Sequence, residues 1–253
     1  MCFKAELNGQ SRFFKTHAIA AGRPTLQREV AFLEASAAKK TDPHLLTIAE
    51  RGAERVWLHT RLLEPCGPLS PEEILALISD YERELERYPE LANVVPASDN
   101  IYQLLSEAGS ALDFMVRESL LSPCVIKSVH SAIDRLKLVC ADLPLQLCHG
   151  DLGPPNIMIG DGSLIAIDWE DAFWGISGYD YLYWLTFFGN RKWLATGALD
   201  HTALDRATAI RLMVIIVLLK SWISVRNGSY VHNAITIEDR LLEVINLEYD
   251  NCS

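Results

Sequence analysis

Gln146-Leu147-Cys148-His149-Gly150-Asp151-Leu152-Gly153-Pro154-Pro155-Asn156-Ile157-Met158-Ile159, closing on Ile167-Asp168-Trp169-Glu170, is the stretch that decides how this 253-residue chain is read. Three polar residues, Asp151, Asn156 and Asp168, stand in an otherwise apolar frame. Leu145 and Leu147 lead in, Ile157 to Ile159 follow, and Leu164, Ile165 and Ile167 form a second run. Short apolar runs bounded by turn residues read as strands, and Asp161-Gly162 between two of them is a hairpin signal. The order is strand, tight loop, strand, turn, strand, with the polar residues in the loop and at strand ends.

Chemistry gives that spacing a reason. Moving a phosphoryl group needs one carboxylate to orient the attacking hydroxyl or accept its proton, and separate oxygen ligands to hold magnesium against the nucleotide phosphates. In the protein-kinase catalytic loop an Asp is followed five positions later by Asn, and a later Asp binds the metal. Asp151 and Asn156 have that separation, and Asp168 lies 12 residues further on. A single Asp in a loop is usually a turn or cap residue; three at these spacings between apolar strands form a pattern.

The wording His-Gly-Asp and Ile-Asp-Trp-Glu resembles the aminoglycoside phosphotransferase and choline kinase family, the small-molecule branch of the kinase-like fold. The resemblance implies that Asp151 is the catalytic base or orienting carboxylate, that Asn156 and Asp168 are magnesium ligands, and that His149 is a structural residue of the loop. Gly153-Pro154-Pro155 stands where the family often has His-Pro-Gly, and two prolines stiffen that loop.

Composition narrows the alternatives. Roughly half the residues are apolar and 22% are charged, ordinary for a globular protein. The formal charge of −10 disfavours nucleic acid, which needs clustered Lys and Arg, and leans towards a cationic small-molecule acceptor. The six cysteines show no Cys-x-x-Cys spacing and read as reduced thiols of a cytoplasmic protein. Met1-Cys2-Phe3-Lys4 leads into alternating residues, so no secretory leader is expected. The most apolar run, Leu212 to Leu219, is fenced by Arg211 and Lys220 and falls short of the roughly 20 residues that span a bilayer, so a buried helix and no membrane attachment are expected.

Residues 1–63 read as a nucleotide-binding lobe. Phe3 to Leu7 and Arg12 to His17 are strand-like and joined through Asn8-Gly9. Lys15, near the end of the second run, is the candidate for the lysine that pairs nucleotide phosphates in the kinase plan. After Gly22 and Pro24, Thr25 to Ala38 reads as a helix with Thr25 as N-cap and Leu26, Val30, Leu33 and Ala37 on one stripe. Glu29 falls inside the apolar arc, where a carboxylate wants a cationic partner, and Lys15 is the natural one. Arg28 and Glu34 lie more to the polar side. Leu45 to Ala49 and Arg55 to Leu63, turning at Gly52, form a second hairpin. No Gly-rich stretch precedes Phe3, so this lobe is expected to lack the family's first strand and phosphate-covering loop.

Residues 64–253 read as a mainly helical lobe carrying the catalytic loop and the acceptor site. Glu64-Pro65-Cys66-Gly67-Pro68 breaks regular structure where a kinase-like fold places its hinge, and backbone there should meet the adenine edge. Ser70-Pro71-Glu72-Glu73 is a helix start running to about Tyr88, and further helices are expected from Asn100 to about Leu121 and from Pro123 to about Cys140. Past Asp168, Asp180 opens an aromatic helix and by resemblance braces the catalytic loop. Two last helices span about Ala203 to Arg226 and Ile237 to Leu247.

The expectation is an α+β, protein-kinase-like fold with a shortened β lobe. The expected activity is an ATP- or GTP-dependent, Mg2+-requiring transfer to a hydroxyl of a small molecule such as an aminoglycoside, a choline-like amino alcohol or a sugar. The alternative is a kinase-like nucleotide-binding regulatory protein that transfers little or nothing. Oligomeric state and acceptor identity are not written in these residues.

Overall fold

The computed structural model describes residues 1–17, 23–50, 53–232 and 235–248. The turn glycines Gly22 and Gly52 and the sixth cysteine, Cys252, lie outside them. In chain order the first elements are β1 (Cys2–Leu7), β2 (Gln10–Lys15), α1 (Arg23–Thr41), β3 (His44–Glu50), β4 (Ala53–Arg61), β5 (Glu64–Pro65) and α2 (Pro71–Leu85). Then come α3 (Ile101–Arg117), α4 (Pro123–Val139), β6 (Leu145–Cys148), β7 (Ile157–Gly160), β8 (Ser163–Ala166), β9 (Phe173–Ile176), α5 (Tyr179–Leu185), α6 (Arg206–Arg226) and α7 (Ile237–Asn246). Two compact units divide the chain: residues 1–96 with 149–173, and residues 97–148 with 174–253.

The first unit holds an antiparallel sheet ordered β1-β2-β4-β3 and a smaller one ordered β5-β7-β8. Both tight hairpins arise from local chemistry. Asn8 and Gly9 have φ of 52° and 74°, and Asp161 and Gly162 have 50° and 73°, the paired left-handed conformations that a two-residue turn between twisted strands requires. The β1–β2 register sets Lys15 opposite Cys2, and the β2–β4 register sets it opposite Leu58. Glu64-Pro65, expected only as a break, pairs with Ile159 and Met158 of β7 as a two-residue edge strand. An edge tolerates Pro65 because a proline has no N–H to give a ladder.

Helix α1 starts at Arg23, two residues before the expected cap. Pro24 carries the fixed φ that suits a first helical turn, which leaves Thr25 inside the helix, its hydroxyl on the His17 ring at 3.2 Å. Leu26, Phe32 and Leu33 are buried on its inner face, and Glu29 lies among them. Helix α2 is started by a capping box in which Ser70 and Glu73 satisfy each other's backbone N–H, with Pro71 in the first turn. It ends at Leu85, short of the expected Tyr88, and Pro89–Asn93 forms a short 3-10 turn.

The second unit is built on α6, whose residues from Thr208 to Leu218 are almost all buried and which packs against α3, α4, α5 and α7. The apolar run Leu212 to Leu219 belongs to this 21-residue helix, which by length and composition could cross a membrane. Of its most apolar window, 61% is buried inside the protein, so neighbouring helices take up the apolar surface that lipid would otherwise cover. Asn100 caps α3 by accepting from the N–H groups of Tyr102 and Gln103, and Asp205 caps α6 by accepting from Thr208. Asp180, in the first turn of α5, is buried with 4% exposure.

Candidate active site

Every residue singled out for chemistry lies in the first unit. Lys15, at the end of β2, donates to Glu29 Oε2 at 2.9 Å and to Asp168 Oδ1 at 2.6 Å. Its Nζ also stands 2.9 Å from Glu170 Oε1. Three carboxylates therefore share one ammonium. Glu29 completes the join by accepting the Asp168 backbone N–H through Oε1 at 3.1 Å.

Asp168 sits directly after β8 with φ 68° and ψ 55°. A left-handed backbone is uncommon for a non-glycine residue, and here α1 holds it from three sides. Arg28 donates to the carbonyls of Glu170 and Ala172, both at 3.0 Å. Phe32 stacks on Trp169 with ring centroids 4.8 Å apart and planes 4° from parallel. Trp169 is fully buried, gives its indole N–H to the Ala166 carbonyl, and meets Tyr81 edge-on. The core packs around Trp169, the residue next to Asp168 in the chain.

The loop carrying Asp151 is fixed by His149 and Gly150. His149 Nε2 donates to the Ile167 carbonyl at 2.8 Å, which leaves Nδ1 to accept the Asp151 N–H at 3.3 Å; one neutral tautomer satisfies both bonds. The imidazole thus ties Asp151 to the strand end beside Asp168. Gly150 has φ 87°, and a Cβ there would run into the Asp171 carbonyl, so the middle residue of His-Gly-Asp is held to glycine by conformation and space together. Asn156, at the end of a 3-10 turn opened by Pro154, donates through Nδ2 to Asp151 Oδ2 at 3.0 Å and to the Asp151 carbonyl at 2.8 Å. Its own carbonyl accepts from Ile167 at 2.9 Å, which sets Asn156 one residue from Asp168 across the β7–β8 ladder.

The electrostatics follow from crowding. Burial is the largest influence on Glu29 and pushes its carboxyl up to about 7 in spite of Lys15, with Asp168 and Glu170 adding to the rise. Burial alone would lower Lys15, but the charges of Glu29 and Asp168 outweigh it and hold the ammonium above its ordinary value. Asp171 is raised, first by burial and then by Asp151, Asp168 and Glu170, so it feels the acids of both the loop and the strand end. Glu29, Asp168 and Glu170 offer carboxylate oxygens all within 4.8 Å of one another. Hard oxygen ligands at this spacing suit a divalent cation such as magnesium.

Lys15, Glu29 and Asp168 thus come together, and so do Asp151 and Asn156. Two further residues belong to the arrangement. Glu170 reaches the same ammonium as Asp168, and its carboxylate also meets the His17 ring at 2.9 Å; in the sequence Glu170 and Asp171, directly after Asp168-Trp169, read as surface acids or as groups facing the substrate. Arg28, assigned to the polar side of its helix, spends its guanidinium on backbone carbonyls instead.

Comparison with known proteins gives the family and the fold. The sequence model described as "Phosphotransferase enzyme family" (APH) matches residues 5–208. No curated protein matches the chain. Among solved structures, a thermostable mutant of the aminoglycoside phosphotransferase APH(4)-Ia, in ternary complex with ADP and hygromycin B, is 16% identical and superposes with a TM-score of 0.61 over 97% of this chain and 90% of that one. The amicoumacin kinase hAmiN in complex with AMP-PNP, Ca2+ and Ami gives 13% identity and a TM-score of 0.61 over 99% of this chain and 85% of that one. A choline/ethanolamine kinase family protein from Mesorhizobium loti gives 16% identity and a TM-score of 0.56 over 93% and 82%. At such identities the likeness is one of fold, and the fold is the kinase-like one expected.

Proposed function

The chain belongs to the phosphotransferase enzyme family, and from that premise we propose that it transfers the γ-phosphoryl group of ATP to a hydroxyl of a small molecule in the cytoplasm. The observation that carries the reading is the convergence of Lys15, Glu29 and Asp168 at distances of 2.6–3.1 Å, with Asp168 139 and 153 residues from its two partners in sequence. ATP is preferred to GTP because two of the solved structures above hold ADP or AMP-PNP.

Each residue has a part in that chemistry. Asp151, its carboxylate steadied by Asn156, orients the acceptor hydroxyl and takes its proton as the new P–O bond forms and the bond from the γ-phosphorus to ADP breaks, ADP leaving. Lys15 transfers its ammonium from the carboxylates to the nucleotide phosphates, and Glu29 keeps it aimed. Asp168 and Asn156 would hold the magnesium, with Glu170 as a third oxygen donor beside Asp168, and the metal would supply charge neutralisation on the phosphates. Such sites work by positioning and by fixed charge.

The test is to incubate purified protein with Mg2+ and ATP or GTP and a panel of aminoglycosides, amino alcohols and sugars, reading the mass gain of one phosphoryl group on the acceptor. A panel member phosphorylated with ATP supports the reading. Nucleotide bound with magnesium but no acceptor modified across a broad panel favours the kinase-like binding protein instead.

A further inference from the structure

On the phosphotransferase reading Lys15 leaves its carboxylates for the nucleotide phosphates, and the acids it held must keep their places by other means. Glu29 is buried on the inner face of α1 and accepts the Asp168 N–H at 3.1 Å. Asp168 is set by its left-handed backbone, φ 68°, beside the buried Trp169. Glu170 depends on its side chain. Arg28 holds its carbonyl at 3.0 Å, but the carboxylate stands at the end of a flexible side chain on the short 3-10 turn Trp169–Asp171. Among the described residues that carboxylate meets Lys15 Nζ at 2.9 Å and His17 Nε2 at 2.9 Å, both on Oε1. With the ammonium on phosphates, His17 is the contact that remains.

We propose that His17 is a positioning residue for the metal end of the site, holding Glu170 where its carboxylate can join Asp168 on a divalent cation. His17 lies two residues after Lys15, just past the end of β2, so the segment that carries the phosphate-binding lysine also carries the group that steadies the acid. An ionised carboxylate only accepts, so Nε2 carries the hydrogen and donates it to Oε1. Thr25 Oγ1, on α1, stands 3.2 Å from the same nitrogen and limits the swing of the ring. Because both contacts fall on Oε1, Oε2 is left for a cation, and Glu29, Asp168 and Glu170 already hold their oxygens within 4.8 Å of one another. Hydrogen-bond partners of metal-ligating side chains fix the orientation of the ligand, and removing one typically weakens metal binding about 10–100-fold.

The inference rests on the phosphotransferase reading, and the experiment separates the two. Mn2+, standing in for Mg2+ and read by the EPR signal of the free ion, is titrated into the full chain with AMP-PNP and into AMP-PNP alone. Affinity for AMP-PNP without metal is measured in EDTA by calorimetry. His17→Phe, which keeps a ring but no donor, is expected to weaken Mn2+ about tenfold or more and to leave metal-free AMP-PNP binding unchanged. His17→Gln, whose amide N–H can replace Nε2–H, is expected to restore most of the Mn2+ affinity. In a Glu170→Ala background His17→Phe is expected to add no further loss, since it acts through that carboxylate; His17→Leu replaces His17→Phe if the latter does not fold. Mn2+ affinity unchanged in His17→Phe, while Asp168→Ala abolishes it, overturns the inference and leaves the phosphotransferase reading standing. Parallel loss of Mn2+ and metal-free nucleotide, or no recovery in His17→Gln, overturns it too. Mn2+ held by the unaltered chain with AMP-PNP no better than by AMP-PNP alone overturns both.

Discussion

Lys15 and Lys220 are both lysines set into the protein, and their surroundings are opposite. Lys15 is ringed by the carboxylates of Glu29, Asp168 and Glu170, so its neighbourhood keeps an excess of negative charge after the pairing. Lys220 rests on two aromatic rings and a threonine hydroxyl. Carboxylates crowded beyond the one ammonium they share favour a cation from solution. On the proposed function the first site gathers a divalent cation and turns its ammonium to phosphates, and Lys220 has no part in that chemistry.

The carboxylate side of that contrast is where the largest effects are expected. Asp151→Asn should lower kcat by about 10²–10⁴-fold, the usual worth of a positioned proton acceptor, and Asp168→Ala by at least as much, while circular dichroism stays native. Lys15→Met should cost about 10²–10³-fold, as for other preorganised charges. If Lys15→Met is nearly silent, the lysine is a structural ion-pair member and the contrast with Lys220 collapses. Gly150→Ala should lose about 3 kcal/mol or more of stability in thermal unfolding, from the positive φ of 87° and the Asp171 carbonyl together.

Smaller effects sharpen the picture. Glu29 has its folded carboxyl raised from 4.5 to about 7, so between these values the folded state binds the proton more tightly than the unfolded chain. Stability present below pH 4.5 is therefore lost as pH climbs towards 7, by roughly 3 kcal/mol at most. Glu29→Gln should flatten that slope in denaturant titrations at pH 5 and pH 7.5; an unchanged slope would assign it to another group. Arg28→Ala, which frees two carbonyls of the turn after Asp168, should cost about 1–3 kcal/mol and weaken magnesium binding more than nucleotide binding, which a KM comparison for each would read.

The sequence was most legible where local chemistry decides. Asn8-Gly9, Asp161-Gly162 and Ser70-Pro71-Glu72-Glu73 each carry their conformation within four residues, and each element formed where expected. Glu29 was legible because the helical period alone buries it, and a buried acid needs a cation. What escaped depends on the chain folding back. Glu170 reaches Lys15 because Asp168 takes a left-handed backbone, which no spacing announces, and Arg28 finds its carbonyls because α1 lies along the turn after Asp168. The helix start moved from Thr25 to Arg23 for a local reason, the fit of Pro24 to a first turn. The aromatic seat of Lys220 could not be seen at all, since Phe187 and Lys220 come from separate segments.

The most direct test of the central claim is a radiolabel transfer assay. Protein is given Mg2+ and γ-labelled ATP with an acceptor found in the mass panel, and label on the acceptor is followed for the unaltered chain and for Asp151→Asn at matched folded concentration. The account predicts label on a hydroxyl of the acceptor with the unaltered chain, and a rate reduced about 10²–10⁴-fold with the variant. Equal rates from the two proteins would contradict it.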